Sequence, residues 1–143
     1  MRLTKKEKAL YLELYSKKPS KLPPHARAKP KMGWSRRSNF LEDLICLWAK
    51  VHGYLGSKID VKGTYRNGQY HHTQATKGVS DVIILADGLF IGIEVKVGGD
   101  RQSDNQKKWQ DQVEGNGGIY LIAKDISIIE KLQALCNEDQ KTA

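Results

Sequence analysis

The chain has 143 residues, 39% of them hydrophobic, with a formal net charge of +8 at pH 7. That length and apolar content suit one domain with a buried core. No run is long or apolar enough to cross a membrane, and the opening Met-Arg-Leu-Thr-Lys-Lys-Glu lacks the apolar stretch of a secretory leader. Cys46 and Cys136 have no metal-type spacing and read as reduced core thiols, so a cytoplasmic protein is expected. His71 and His72 are adjacent and would project to opposite faces of a strand, so they do not chelate one ion.

The charge is uneven. Residues 1–40 hold twelve Lys/Arg against two acids, whereas residues 41–143 hold twelve against fourteen. A basic arm of this kind either neutralises phosphates, releasing their counterions, or only solubilises the chain.

Thr4 and Glu7 have capping-box spacing, and Ala9, Leu10, Leu12 and Tyr15 give the first helix an apolar face. All four prolines fall between Pro19 and Pro30. That segment predicts an extended basic tether ending at Trp34, Arg36 and Arg37, which either grip nucleic acid or, for the tryptophan, join the core. Residues 1–37 would thus form a basic helix plus tether ahead of a domain at 38–143. Ser38 or Asn39 is expected to cap a second helix reaching about Tyr54, with a buried stripe from Phe40 to Leu55. Two strands are expected at 59–65 and 69–73, around Arg66-Asn67-Gly68.

A second hairpin is the informative one. Val82–Leu85 and Leu89–Val97 are largely apolar and flank Asp87-Gly88, a signal for a type I′ turn. If Ala86 and Leu89 close that turn, Asp81 lies opposite Glu94. Lys96 then shares their face, while Val95 points away. Two facing carboxylates repel unless a cation lies between them. The pattern therefore predicts a divalent metal beside a lysine. Both faces of the hairpin are otherwise apolar, as in central strands covered by helices on both sides. Farther on, Ser103 opens a helix to about Glu114, Gly115–Gly118 stops it, Ile119–Ala123 forms a strand, and Ser127 opens a last helix ending near Cys136. The whole reads as an α/β sandwich around a mixed sheet.

Gly78-Val79-Ser80-Asp81, Ile93-Glu94-Val95-Lys96 and Ser103-Asp104-Asn105-Gln106 together resemble the VRR-NUC (virus-type replication-repair nuclease) branch of the PD-(D/E)XK nuclease superfamily. The likeness covers residues 38–123 and departs at Ser80, where the family often carries proline. It implies a restriction-endonuclease-like fold and a Mg²⁺-dependent deoxyribonuclease, with Mn²⁺ able to substitute. It also implies a phage-type role in replication, recombination or repair, possible selectivity for branched or Holliday-junction DNA, and a homodimer. Asp81, Glu94, Lys96 and Gln106 would be its catalytic set. Asp81, Glu94 and the Val95 carbonyl would hold the metal, since Mg²⁺ favours oxygen ligands. Glu42 is either a further ligand or a residue of the helix cap. Gln106 either serves the site or closes a capping box with Ser103. Arg36, Arg37, Lys77, Arg101, Lys107 and Lys108 are the expected nucleic-acid contacts. The alternative is a non-catalytic nucleic-acid-binding or interaction protein that keeps the fold.

Overall fold

The structure is a computed structural model that describes residues 1–61, 63–72 and 75–141, with 138–141 as backbone only. Helices α1 (Lys5–Lys17) and α2 (Arg37–Val51) precede strands β1 (Leu55–Lys58), β2 (Thr64–Arg66), β3 (Gln69–His71), β4 (Val82–Ala86) and β5 (Leu89–Val95). Then come α3 (Asp104–Gly115), β6 (Ile119–Ala123) and α4 (Ile128–Lys141). The main sheet has the order β1-β4-β5-β6, antiparallel except for the parallel β5–β6 pair that α3 connects. This is the expected mixed sheet flanked by helices. Strands β2 and β3 pair only with each other.

Asp87 and Gly88 both take positive φ and Ala86 pairs with Leu89, so the type I′ turn sets the β4–β5 register as expected. Val82, Ile84, Ile91, Ile93 and Val95 face one way and are buried, meeting Phe40, Leu44, Ile45 and Trp48 of α2 and Ile128 and Leu132 of α4 in one core. Asp81, Ile83, Leu85, Phe90, Gly92 and Glu94 face the other way. Helix α3 covers that face only partly, and Leu85 stays 44% exposed.

The first helix is packed, not tethered loosely. Its capping box forms as expected, but its buried stripe is Glu7, Tyr11 and Leu14, while Leu12 is exposed. The 7, 11, 14 spacing follows one helix face. Tyr11 meets Trp34 edge-on at 5.0 Å, and Trp34 meets Phe40 likewise at 5.0 Å, with its Nε1 donating to Asp43 at 2.7 Å. The Tyr15 hydroxyl donates to the Ala28 carbonyl at 2.7 Å, so the proline-rich segment folds back across α1. The core therefore runs across the boundary expected at residue 37.

Helix α2 differs at both ends. It starts at Arg37, two residues before Asn39, so Glu42 lies beyond the first turn and is no part of a cap. It stops at Val51 because Gly53 takes φ 75°, its N–H reaching the Lys50 carbonyl and that of Tyr54 the Ala49 carbonyl, a Schellman motif. Leu55 leaves the expected helical stripe and begins edge strand β1, 62% exposed. Gly56 permits the close approach of α2, since a Cβ there would lie 2.8 Å from that of Ala49. The expected strands at 59–65 and 69–73 shorten to β2 and β3; Lys62 and Thr73 lie outside the described residues. Helix α4 continues past Cys136 to Lys141.

Candidate active site

The site forms where β4 begins, β5 ends and α3 starts. Asp81 immediately precedes β4, and one of its carboxylate oxygens accepts the Val95 N–H at 2.9 Å, so Asp81 holds the end of the neighbouring strand. The Ile59 N–H donates to the Asp81 carbonyl at 2.9 Å, extending the β1 side of the sheet around it. Glu94 is 1% exposed. Val95 sends its side chain into the opposite core, as expected from strand alternation. Lys96 continues β5, its N–H donating to the Ala123 carbonyl at 2.8 Å, and its Nζ lies 3.7 Å from Glu94 Oε1.

Gln106 closes the capping box and also reaches Glu94. Its Oε1 accepts the Ser103 N–H at 2.8 Å, completing the capping box, while its Nε2 donates to Glu94 Oε1 at 2.5 Å. A helix-end amide proton demands the oxygen, so the amide's NH₂ must turn toward the carboxylate. The cap thus orients the group that holds Glu94.

Ser80 and Trp109, with Gly78 and Gly92, place α3 where this happens. Ser80 is fully buried, and its Oγ accepts the Trp109 indole N–H at 2.9 Å. Gly92 makes room for that pair, because a Cβ there would sit 2.6 Å from Ser80 Oγ. Gly78 takes φ 82°, and a Cβ on it would fall 2.4 Å from the Asn105 backbone. The chain before Asp81 therefore abuts the start of α3 directly, one turn from Trp109. Ser80 at the expected proline position is an anchor that proline could not provide, since proline has no hydroxyl to accept the indole proton. Trp109, three residues after Gln106 on one helix face, was the readable signal for this contact.

The electrostatics are unfavourable without a cation. Burial first, then the charge of Asp81, pushes the Glu94 carboxyl from its ordinary 4.5 up to about 8, and Lys96 only partly offsets them. The carboxyl therefore keeps its proton well above the ordinary carboxylate range, despite the lysine at 3.7 Å. With both carboxyls ionised its Oε2 is buried and unpartnered, whereas the proton, when held, is shared with Asp81. Orphaned buried carboxylate oxygens are costly, and one beside a second carboxylate fits a hard cation. Among the described residues, no three His, Cys, Asp or Glu side chains converge, so a metal here would rest on two carboxylates plus backbone oxygen and water. Mg²⁺ accepts such a set, because it commonly keeps several waters.

Glu42 lies on helix α2. Its carboxylate lies 4.0 Å from Lys58 Nζ. Lys58 pairs with Val82 in the sheet, so it leaves the strand on the α2 face, opposite to that of Glu94. Lys58 also pairs with Asp43, which Lys31 meets at 3.2 Å. Arg37 is engaged in the fold, paired with buried Glu7 and donating to the Arg2 carbonyl at 3.3 Å. Arg36, Lys77, Arg101, Lys107 and Lys108 are exposed. Lys77 precedes Gly78, and Lys107 and Lys108 follow Gln106 in the chain. Tyr120, which pairs with Gly92 across β5–β6, joins the same face, its hydroxyl accepting from Gln102 Nε2 at 3.1 Å. Burial, then the Glu94 charge, pushes that hydroxyl up to about 12, so it stays a neutral hydrogen-bonding group.

Comparison with family models, curated proteins and solved structures finds no significant match. No helix among the described residues is long and apolar enough to cross a membrane.

Proposed function

We propose that the protein is a metal-dependent deoxyribonuclease of the restriction-endonuclease-like type, hydrolysing phosphodiester bonds at the Asp81–Glu94–Lys96 cluster. One observation carries this reading: a buried Glu94 carboxyl, one oxygen unpartnered when ionised, packed with Asp81 and Lys96 at one end of the sheet. Asp81, Glu94 and the Val95 carbonyl would hold Mg²⁺ or Mn²⁺, which when bound lowers the pKa of water and neutralises phosphate charge. Gln106 keeps the Glu94 carboxylate in one rotamer. Lys96 offers its ammonium to the attacking water or to the charge that builds on the phosphate oxygens. Lys77, Arg101, Lys107 and Lys108 guide the backbone by charge, a contribution that salt screens. Glu42 serves the α2 side through Lys58, which leaves a two-carboxylate centre as the simpler arrangement.

Labelled linear, flapped and four-way-junction DNAs incubated with Mg²⁺, Mn²⁺ or EDTA test this reading. Cleavage is expected with either metal and none in EDTA, faster on branched substrates. Binding without cleavage in every condition would support the non-catalytic alternative instead.

We further propose that the working form is a homodimer, because two symmetric sites suit paired incisions in two strands. Sedimentation at micromolar concentration is expected to give a dimer; an active monomer would contradict it.

A further inference from the structure

The β2–β3 ribbon has no place in the core. All six of its strand residues are exposed, and it pairs with no strand of the main sheet. Tyr65 and Tyr70 face each other across it, 72% and 54% exposed, and the Tyr70 ring meets His72 edge-on at 4.8 Å. Asn67 and Gly68 both take positive φ, so a type I′ turn fixes the ribbon's tip.

Its composition decides between occupants. From residue 61 to 80 the chain carries three Lys/Arg, two His and no Asp or Glu. From Thr64 to His71 it carries no aliphatic side chain at all. A ribbon of one charge sign with no acid suits a phosphate backbone more than a protein surface of mixed charge. This one offers flat rings, amides and a guanidinium, the groups that stack on bases and hydrogen-bond to their edges. The same segment leads directly through Lys77 and Gly78 into Asp81.

We propose that the ribbon is a contact for unpaired DNA, stacking bases on Tyr65 and Tyr70. This deepens the nuclease reading and rests on it for the choice of DNA. A paired duplex hides its base faces, so the contact favours flaps, junctions and single-stranded ends.

The double variants Tyr65→Val/Tyr70→Val and Tyr65→Phe/Tyr70→Phe test it. Valine keeps a cross-strand pair suited to a strand but has no π-face, and phenylalanine keeps the ring. Anisotropy in EDTA measures binding without cleavage, using flapped DNA and a fully paired duplex of equal length. The valine variant is expected to lose about tenfold or more on the flap and within about twofold on the duplex, while the phenylalanine variant stays near wild type. A 2-aminopurine in the flap should be quenched by wild type and not by the valine variant. Equal losses on both DNAs, no loss, or phenylalanine failing as valine does would overturn the proposal. So would a valine variant that sediments as a monomer when wild type is a dimer, because the ribbon would then be a contact between copies. If wild type shows the flap preference but cleaves nothing in Mg²⁺, the ribbon contact stands and the nuclease reading alone fails.

Discussion

Asp81→Ala, Glu94→Ala and Lys96→Ala are each expected to lower DNA cleavage by on the order of a thousandfold or more, about 4 kcal/mol of barrier. On the proposed function the three act as one unit. Either carboxylate lost leaves a cation with a single acidic ligand, and Lys96 lost removes the ammonium 3.7 Å from Glu94. DNA binding in EDTA should change little, because the exposed cations at 77, 101, 107 and 108 remain. Single-turnover rates, with melting curves to confirm folding, read the effect. Two of these variants cleaving near the wild-type rate while folded would put the chemistry elsewhere.

A second large effect concerns pH. The Glu94 carboxyl lies at about 8 in the folded protein against an ordinary 4.5, so between those values the folded state binds a proton that the unfolded state has released. The associated stability is fully present below about pH 4.5 and is lost as pH rises through 8. In EDTA the protein is therefore expected to lose on the order of 1.4 kcal/mol per pH unit across that window. Melting temperature should fall between pH 5.5 and 8.5. Glu94→Gln carries no titrating proton and should flatten the curve, melting above wild type at pH 8.5. Saturating Mg²⁺ should reverse the wild-type trend, since a cation needs the ionised carboxylate and competes with the proton. Parallel wild-type and Glu94→Gln curves in EDTA would show that Glu94 is not the titrating group.

The hairpin at the site was legible because its information is local. Asp87-Gly88 fixes one turn, the turn fixes the register, and the register puts Glu94 and Lys96 on Asp81's side of the sheet. The mixed sheet and its helices followed from patterning. What the sequence hid depends on contacts between distant segments. Leu55 looks helical by spacing, yet the Gly53 cap ends α2 and turns it into an edge strand. Tyr11 and Leu14, not Ala9 and Leu12, face inward because Trp34 and Phe40 arrive from beyond the proline-rich segment. Arg37 carries a charge suited to phosphate, but its partner Glu7 lies thirty residues earlier. Gln106 shows the same limit in small form. Its spacing from Ser103 announces the cap, while its hold on Glu94 depends on Gly78 and Ser80 pressing the start of α3 against the sheet.

The most direct measurement is the thermal stability of wild type and Asp81→Asn, each with and without Mg²⁺. Asparagine keeps an oxygen for the Val95 N–H, which Asp81 accepts at 2.9 Å, so the fold at this point survives the change. Asp81→Asn also removes the charge facing Glu94, and in EDTA it is expected to melt at or above wild type. In millimolar Mg²⁺, well above Kd, wild type should gain on the order of 1–3 kcal/mol through binding linkage, and Asp81→Asn much less. If Mg²⁺ raises both proteins equally, Asp81 is not a metal ligand and the carboxylate cluster is not a metal-dependent catalytic centre.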